Sequence, residues 1–489
     1  MTEATHDITI EKINDVHIKL HSDGGTAYEL NEYFTFTVPG ARFHPKVRNK
    51  MWDGKIRLFN LGTRYIYAGL LKYIEAFARE RNYTVGYSSD FSGDEFSIFD
   101  AREFLTKLDL TLEPRDYQTE AFIHAVRNKR ALLLSPTASG KSFIIFVSMM
   151  YALSKVQGKA LIVVPTTSLV YQMASDFESY SKYGKNLCHL ITAGVEKEFD
   201  KRVVVSTWQS IYKMPKEWFK QFDVVIGDEA HLFKANSLVT VMTKLVDCPY
   251  RFGFTGTLDG SHTNKLVLEG IFGPVRKVTT TAELIEKKHL SDFIVKCIVL
   301  KHTDDNKSLM KKAAYRDEID WIVRNQGRNK FIKNLALSLE GNTLILFQFV
   351  DKHGKQLLQM FGSPEGKQIA YVDGGVDGEL REDVRTLAET NNNVIIIASS
   401  GTFSTGVNIK NLHNIIFASP SKSRIRNLQS IGRGLRKSDT KTKATLYDIV
   451  DDLSHKSYKN HTLKHFEQRM RIYGEEKFPY KMYAIQLKE

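Results

Sequence analysis

The chain has 489 residues, of which 42% are hydrophobic, and a formal net charge of +13. At roughly 100–200 residues per domain this length predicts about three domains, and the charge favours a polyanion as partner. No stretch reaches the ~18 uninterrupted apolar residues of a membrane span, MTEATHDITI has no basic region before an apolar one, and three scattered cysteines suit neither a disulfide framework nor a zinc cluster. A reducing, cytoplasmic setting is therefore expected.

Residues 1–105 are predicted to form a small α+β domain. Alternating apolar positions predict strands at 8–10, 16–20 and 34–38. Apolar residues at helical spacing predict a helix over 67–81. Between these elements, residues 41–57 carry six basic side chains and one acid, Asp53.

From residue 106 onward, short apolar runs alternate with helical stretches, which is typical of a doubly wound α/β sheet. A first series of buried parallel strands is predicted at 131–134, 160–164, 203–205, 224–226 and 252–254. A second series is predicted at 343–347, 369–372, 394–398, 415–418 and 444–449. The fold class is therefore α/β, with tandem parallel-sheet domains at 106–280 and 281–489. A connector is predicted around 275–335, and a helical and then extended stretch from 453 onward.

A phosphate-binding loop is predicted at 135–142, which read SPTASGKS between a predicted strand and a predicted helix. In such a loop, backbone N–H groups and the helix N-terminus face phosphate oxygens. The residues predicted to surround the phosphates are Pro136, Thr137, Ala138, Ser139 and Gly140. Lys141 can reach the β- and γ-phosphates, and Ser142 can ligate Mg²⁺. A GKS tripeptide also occurs by chance, but the flanking strand and helix favour the phosphate loop.

An acidic pair ends a predicted strand in the sequence DVVIGDEAH, residues 223–231. Asp228 is placed to hold Mg²⁺ through water, and Glu229 to orient or deprotonate the attacking water. Acids at a strand end also serve as helix caps or as parts of solvated loops. Together with the loop at 135–142, however, they predict a Mg-ATP site.

With these motifs in place, residues 112–450 resemble superfamily-2 helicases of the DEAH-like branch. Further motifs that carry the resemblance are PRDYQTEA (114–121), VVPTTSLVYQ (163–172), STWQS (206–210), TGT (255–257), SSGTFSTGVNIKNL (399–412) and QSIGRGLRK (429–437). The resemblance implies two tandem RecA-like domains that use ATP and Mg²⁺ to drive movement on nucleic acid.

The resemblance also implies roles for individual residues around the nucleotide. Tyr117 and Gln118 would contact adenine, and Gly406 would border the nucleotide. Gln429 would position nucleotide or water, Arg433 would face the phosphates, and Arg436 would be the arginine finger, which stabilises charge on the γ-phosphate in the transition state. The residues that would couple hydrolysis to movement are His231, Thr255 and Thr257. Asn408 stands where many relatives have an acid, which leaves one contact of this coupling open.

Contacts to a nucleic-acid backbone need N–H groups, hydroxyls and cations. The hydroxyl residues expected to make them, all near predicted strand ends, are Thr166, Thr207, Thr402 and Ser404. Trp208 could stack on a base or belong to the core, and both interpretations stay open.

The segment GARFHPKVRNKMWDGKIRLFN, residues 40–60, combines cations with aromatic side chains. Its predicted nucleic-acid contacts are Lys46, Arg48, Lys50, Trp52 and Lys55; the alternative is a charged hairpin surface with the tryptophan packed inward. Its PKVR and WDGKIRL sequences resemble the N-terminal domain of the UvsW family, the recombination and repair helicases of large tailed bacteriophages. That resemblance implies an ATP-dependent DNA helicase or translocase that unwinds or branch-migrates forks, Holliday junctions, D-loops and R-loops. We expect a monomer in the host cytoplasm that binds DNA or RNA–DNA hybrids and no membrane.

Three other functions stay open at this point. An RNA helicase or RNA–DNA hybrid unwindase would use the same motor, and a requirement for the 2′-hydroxyl would distinguish it. The motor subunit of a restriction-type complex would need a partner chain. A clamp that binds ATP with little hydrolysis is disfavoured by the presence of Glu229, Gln429 and Arg436.

Overall fold

The computed structural model describes residues 6–38, 40–89, 91, 93–258, 260–406, 409–419, 421–437 and 441–487, with backbone alone at 378 and 404–406. The chain divides into two compact units, Met1–Ser135 with Gly140–Val278 and Pro136–Ser139 with Thr279–Glu489. Within the described ranges, no helix combines the length and the apolar character needed to cross a membrane.

The first unit contains a four-stranded, a two-stranded and a seven-stranded sheet. Its strands are β1 (Ile8–Lys12), β2 (His17–His21), β3 (Thr35–Thr37), β4 (Lys55–Arg57), β5 (Tyr65–Tyr67), β6 (Val85–Tyr87), β7 (Arg130–Leu134), β8 (Lys159–Val164), β9 (Cys188–Ile191), β10 (Val203–Thr207), β11 (Phe222–Asp228), β12 (Tyr250–Thr255) and β13 (Val275–Lys277). Its helices are α1 (Gly24–Tyr33), α2 (Pro45–Arg48), α3 (Leu71–Glu80), α4 (Ile98–Lys107), α5 (Asp116–Asn128), α6 (Lys141–Lys155), α7 (Thr167–Tyr180), α8 (Trp208–Ile211), α9 (Lys216–Phe219), α10 (Asn236–Lys244) and α11 (His262–Phe272).

The four-stranded sheet, in the order β5-β2-β1-β6, shares its core with the seven-stranded sheet. Gly69 lies so close to α11 that an added Cβ would stand 2.0 Å from the carbonyl oxygen of Glu269. The Tyr73 hydroxyl donates to the Glu269 carboxylate at 2.6 Å, and Arg130 donates to the Asp15 carbonyl at 2.8 Å. The N-terminal sheet is therefore fixed to the large sheet through packed backbone and partly buried hydrogen bonds.

The seven-stranded sheet of the first unit is parallel, in the order β13-β7-β12-β11-β8-β10-β9. Its central strands are buried along their length, which is why they read as continuous apolar runs. Strands β7, β12 and β11 are neighbours, and their carboxyl ends lead into the loop at 135–140, into TGT and into DEAH. Parallel strands end at one edge, so these three motifs meet there.

The second unit holds another parallel seven-stranded sheet, in the order β16-β17-β15-β18-β19-β14-β20. Its strands are β14 (Asp292–Lys301), β15 (Thr343–Phe347), β16 (Gln368–Val372), β17 (Val394–Ser399), β18 (Asn414–Phe417), β19 (Lys443–Asp452) and β20 (Tyr480–Gln486). Its helices are α12 (Thr281–Glu286), α13 (Asp304–Leu309), α14 (Tyr315–Arg324), α15 (Gln326–Ser338), α16 (Lys355–Phe361), α17 (Gly378–Thr390), α18 (Ser400–Gly406), α19 (Arg424–Gly434) and α20 (His461–Glu475).

The predicted α/β class is confirmed, with two RecA-like parallel sheets and a mixed N-terminal sheet. Every strand of the two predicted series is present, within a few residues of its predicted ends. The helical and then extended stretch after 453 is present as α20 and β20. The boundaries after residues 105 and 280 stay predictions.

Two predictions about secondary structure are wrong. The connector at 275–335 contains β13, at the edge of the first sheet, and β14, inside the second sheet between β19 and β20. Lys296 interrupts the apolar run of β14, and its side chain turns to a half-buried position with its ammonium over the Tyr447 ring. The predicted helix at 67–81 begins only at Leu71, because Tyr67 ends β5 and a 3₁₀ turn, Ala68–Leu70, follows it.

A buried ion pair joins α20 to β19 in the second unit. The Arg469 guanidinium donates to both Asp448 carboxylate oxygens at 2.8 Å, and the Tyr473 hydroxyl donates to the same carboxylate at 2.9 Å. A third nitrogen of Arg469 donates to the Ser421 carbonyl, just before α19, at 3.0 Å. The pair therefore connects β19, α20 and the start of α19.

Replacing Arg469 by Met should lower the free energy of unfolding by about 3–5 kcal/mol, because it leaves the Asp448 carboxylate buried without its cation. Urea denaturation followed by fluorescence measures this change. Arg385→Met is the matched control, since Arg385 forms an exposed pair with Glu382 and should cost less than about 1 kcal/mol. Equal losses in the two variants would contradict the importance of the buried pair.

Candidate active site

The turn after β7 is closed by hydrogen bonds of its own backbone and of β12. Ser135 donates its N–H to the Thr255 carbonyl at 2.8 Å. Ser139 donates its N–H and its hydroxyl to the Pro136 carbonyl, at 3.1 and 2.7 Å. The turn is therefore preformed between two strand ends.

Helix α6 begins directly after this turn, at Lys141. Gly140 is the N-cap, with φ 79°, and provides no side chain that could occupy the first N–H groups of α6. An added Cβ at Gly140 would lie 2.3 Å from the side-chain nitrogen of Gln118. Backbone N–H groups at a helix N-terminus favour an anion, so this loop can receive phosphate oxygens.

Gln118 and Tyr117 lie on α5, and both are buried. The Gln118 side-chain oxygen accepts the Arg115 N–H at 3.0 Å, and an Arg115 guanidinium nitrogen donates to the Tyr117 hydroxyl at 2.8 Å. The Gln118 amide thereby lies against Gly140 of the loop. The proposed contact of these two residues with adenine stays a prediction.

The Lys141 ammonium lies 2.7 Å from the Asp228 carboxylate and 2.7 Å from the Glu229 carboxylate. Lys141 is the first residue of α6, and the two acids end β11, so the contact joins two of the predicted motifs. Glu229 takes a left-handed backbone conformation, with φ 51°, as the chain leaves the strand. The structure thus brings together three of the predicted catalytic residues.

Burial and mutual contact determine the charges of these three groups. Burial alone would lower the pKa of Lys141, but Asp228 and Glu229 outweigh it and raise that pKa above its ordinary value. Burial likewise opposes ionisation of Glu229, yet Lys141 and His231 hold its pKa well below the usual range. For Asp228, burial raises the pKa. One cation therefore faces a buried and a partly buried acid, an arrangement that a further cation would stabilise.

Two side chains near Lys141 carry oxygen atoms that are suited to a hard divalent cation. Asp228 offers a carboxylate and Ser142 a hydroxyl, the oxygen ligands that Mg²⁺ prefers. In the part of the chain that the structure describes, no group of three or more His, Cys, Asp or Glu side chains could hold a metal ion. A metal here would consequently depend on phosphate and water oxygens for the rest of its ligands.

Tyr180, at the end of α7, is a neighbour of the site that no sequence motif indicated. Its hydroxyl lies 2.7 Å from the Ser142 hydroxyl, and its ring meets Phe143 edge-on at 5.4 Å. The contact depends on the packing of α6 against α7, which sequence patterns do not specify.

A short hydrogen-bonded chain joins the acids to the loop after β12. The Thr255 hydroxyl donates to the Thr257 carbonyl at 3.0 Å. The same hydroxyl lies 2.9 Å from His231 Nδ1. The same nitrogen lies 3.3 Å from the Glu229 carboxylate. The three residues predicted to couple hydrolysis to movement are thus adjacent, while their role stays a prediction.

In the second unit, α18 and α19 contact each other through the predicted site residue Arg433. Gln429 and Arg433 are one helical turn apart on α19, and the Arg433 guanidinium lies over the Phe403 ring of α18 at 5.9 Å. Arg436 follows the end of α19, and all three predicted residues are half-buried. Their action on a nucleotide stays a prediction.

The last residues of this motif are held by backbone contacts. The Ser291 N–H donates to the Leu435 carbonyl at 2.9 Å. The Lys441 ammonium donates to the carbonyls of Arg436 at 2.8 Å and Lys410 at 3.2 Å, and also to that of Gly434. Burial lowers the pKa of Lys441 to about 7. The carbonyls accept all three N–H groups of its charged form.

The predicted nucleic-acid residues of the two sheets lie at helix starts or inside loops. Thr166 precedes α7, with its hydroxyl 3.0 Å from that of Ser168, and Thr207 precedes α8, with its hydroxyl 2.9 Å from that of Ser210. Because β8 and β10 are neighbours, the two threonines lie at the same sheet edge. Both stay predicted contacts.

The structure describes the remaining predicted positions to different extents. The Thr402 N–H donates to the Ser399 hydroxyl at 3.2 Å, and the two hydroxyls are 2.7 Å apart. The Ser404 side chain and the surroundings of Gly406 lie outside the described part, as does Asn408. Trp208 is partly buried against the core and meets Tyr212 edge-on at 5.8 Å, which agrees with its interpretation as a core residue.

Residues 40–57, called the basic arm here, fill the end of the β3–β4 hairpin. Lys46, Arg48, Lys50 and Lys55 are exposed, and none of them pairs with a carboxylate among the described residues. Trp52 is partly buried, and its indole N–H donates to the Lys55 carbonyl at 2.9 Å. The cations are therefore available to a ligand, whereas one edge of the tryptophan is already bonded within the arm.

Comparisons with known proteins agree with this architecture. Residues 7–88 match a family model described as "DNA helicase UvsW, N-terminal", residues 111–260 one described as "Type III restriction enzyme, res subunit", and residues 327–438 one described as "Helicase conserved C-terminal domain". The ATP-dependent DNA helicase uvsW of Enterobacteria phage T4 is 35% identical over 504 residues, which cover 98% of this chain and 100% of that protein. The chain belongs to the UvsW family of superfamily-2 helicases. The family predicted from the motifs is thereby confirmed.

A solved structure of the T4 relative and the sequence of an archaeal translocase also match the chain. The crystal structure of T4 UvsW aligns with a TM-score of 0.53 at 34% identity and covers 99% of this chain and 100% of its own. The DNA 3'-5' translocase XPB2 of Sulfurisphaera tokodaii is 25% identical over 69% of this chain and 82% of its own length. The similarity to T4 UvsW thus includes the basic arm as well as both seven-stranded sheets.

Lys441 should give the protein a specific dependence of stability on pH. Its pKa is about 7 in the folded chain and about 10.4 in an unfolded one. Between these values only the unfolded chain binds the proton, so the free energy of unfolding rises with pH, by up to about 1.4 kcal/mol per pH unit.

Urea denaturation of wild type and Lys441→Met from pH 7 to 10 measures this effect. The free energy of unfolding of wild type minus that of Lys441→Met should rise with pH, because methionine has no proton to bind. Lys443→Met, at an exposed position two residues away, is the control. A difference that stays constant across the pH range would contradict the burial of the Lys441 ammonium.

Proposed function

We propose that the protein is an ATP-dependent DNA helicase that unwinds or branch-migrates branched DNA in recombination, replication restart and repair. The observation that carries the ATPase part is the contact of Lys141 with Asp228 and Glu229 beside the uncapped start of α6. The DNA part is supported by the T4 relative, which is named an ATP-dependent DNA helicase, and by the match of residues 7–88 to the UvsW N-terminal family model.

ATP binding would exchange the partners of Lys141. Its ammonium faces two carboxylates, and phosphate oxygens at the start of α6 would compete for it. Ser142 and Asp228 are the residues that would hold Mg²⁺, which neutralises phosphate charge when bound. Lys141 would then contact the phosphates, and Glu229 would be released for chemistry.

Glu229 is suited to act on water because contact with His231 also favours its ionised form. Lys141 and His231 hold its pKa well below the usual range, although burial opposes this, so the carboxylate can accept a proton or orient the attacking water. We propose that Gln429, Arg433 and Arg436 stabilise the charge that develops on the γ-phosphate, as the resemblance to superfamily-2 helicases implies.

Movement along DNA would follow from changes at the same sheet edge. Because His231 contacts both Glu229 and Thr255, a change at the acid would reach the loop after β12. We propose that hydroxyl residues beyond the strand ends and the cations of the basic arm bind the DNA backbone. The enzyme would act as a monomer in the host cytoplasm, where its three unpaired thiols stay reduced.

Replacing Glu229 by Gln should lower DNA-stimulated ATP turnover by about 10²–10⁴-fold, the usual contribution of a general base, while ATP still binds. The amide keeps the size of the side chain and removes its charge. A phosphate-release assay with saturating fork DNA measures turnover, and equilibrium binding of labelled ATP measures occupancy. Glu217→Gln, at an exposed position of the same unit, is the control. Near-normal turnover in the Glu229 variant would show that this acid does not act on water.

Replacing Lys46, Arg48 and Lys50 together by Ala should weaken fork binding and reduce its dependence on salt. Each lost phosphate contact lowers the slope of log K against log salt by about 0.9. Anisotropy titrations from low to moderate salt measure the slope. A control triple removes the exposed Lys311, Lys312 and Lys330 of the second unit. An unchanged slope in the first triple would mean that the basic arm does not bind the DNA backbone.

A further inference from the structure

Two large apolar side chains on the basic arm are exposed to solvent. Phe43 is 70% exposed and Met51 is 73% exposed. Phe43 ends the 3₁₀ turn Ala41–Phe43, and Met51 follows Lys50, which has a left-handed φ of 55°. Single exposed apolar side chains are common, but these two occur together on a segment that is otherwise strongly basic.

Contacts within the basic arm order the backbone at both residues. The Met51 N–H donates to the Lys46 carbonyl at 2.8 Å. The ring of His44, next to Phe43, meets that of Trp52, next to Met51, edge-on at 5.5 Å. Hydrogen bonds and ring contacts thus order the arm without burying Phe43 or Met51.

The charges around these side chains are matched to a polyanion. Lys46, Arg48 and Lys50 are exposed without a carboxylate partner among the described residues, because Asp53 is paired with Arg57. The Arg42 guanidinium lies over the Phe43 ring, 4.7 Å from its centroid. One face of the ring therefore contacts a cation, and the exposed area leaves room for a second planar group.

Phosphate-binding cations next to exposed aromatic and thioether groups suit nucleotides whose bases are unstacked. A base stacked on an aromatic side chain strengthens binding about 5–150-fold. In a continuous duplex the base faces are covered by their neighbours, so Phe43 and Met51 would find no partner there. At a branch point, unpaired bases expose these faces.

We propose that Phe43 and Met51 form a base-contacting tip that binds unpaired DNA nucleotides at a branch, while Lys46, Arg48 and Lys50 bind the flanking phosphates. The tip distinguishes branched from continuous DNA through base faces, whereas the cations bind both. This inference rests on the proposed DNA-binding function and adds the feature of the substrate that the arm recognises.

The test compares wild type with a full-length double variant that carries both Phe43→Ala and Met51→Ala. Each protein is titrated with two DNAs of equal length. One is a fork with unpaired nucleotides at the junction, and the other is a blunt duplex. The fork Kd should rise about 5–150-fold, the equivalent of about 1–3 kcal/mol of lost stacking. The duplex Kd and the salt slope should stay the same. Tyr28→Ala, 66% exposed on α1, is the control and should change neither Kd.

A fluorescent base analogue, 2-aminopurine, at the fork junction gives a second readout. Binding of wild type should change the emission of 2-aminopurine through stacking, and binding of the double variant should not. Phe43→Trp, which keeps an aromatic ring at this position, should again give the change in emission. An unaltered fork Kd or 2-aminopurine signal in the double variant would overturn the tip, as would equal weakening on fork and duplex. After any of these outcomes, the triple Ala variant at Lys46, Arg48 and Lys50 shows which claim is wrong. If that variant still weakens DNA binding, the basic arm binds DNA as proposed, and only the base-contacting role of Phe43 and Met51 is wrong.

Discussion

The contact of one lysine with two acids at the edge of the first parallel sheet is the interaction on which the remaining functional features depend. Lys141 lies at the start of α6, and Asp228 and Glu229 lie at the end of β11. Buried charges of this kind are stable only when their partners are close and correctly oriented. Strand β12, between β7 and β11, fixes that orientation, since its Thr255 accepts a hydrogen bond from Ser135 and contacts His231.

Buried charges also organise the second unit, where they position helices instead of a reacting group. Asp448, on β19, binds Arg469 of α20, and the same arginine bonds to the Ser421 carbonyl before α19. Beyond the other end of α19, Lys441 bonds to the carbonyl of Arg436. The segment with Gln429, Arg433 and Arg436 is thus attached at both ends to strands or helices of its own sheet. Such attachment favours a fixed geometry of the arginines, which electrostatic stabilisation of a transition state requires.

Sequence patterns predict the parts of the fold that depend on local chemistry. Continuous apolar runs predict the buried parallel strands, and SPTASGKS and DEAH predict the meeting of Lys141, Asp228 and Glu229. Sequence patterns do not predict the features that depend on tertiary contacts. β14 contains Lys296 and precedes a long helical region, so its place inside the second sheet depends on pairing with β19 and β20. Tyr180 and Lys441 belong to no motif, since their partners come from distant helix packing and backbone carbonyls.

The most direct measurement of the central claim is steady-state ATP hydrolysis and strand displacement by the full-length protein on a panel of nucleic acids. The panel contains single-stranded DNA, blunt duplex, fork, four-way junction, R-loop and RNA duplex. If the protein is a motor for branched DNA, the fork, the four-way junction and the R-loop should stimulate hydrolysis most and be remodelled. Stimulation by the RNA duplex equal to that by branched DNA would contradict the claim, as would hydrolysis that no member of the panel stimulates.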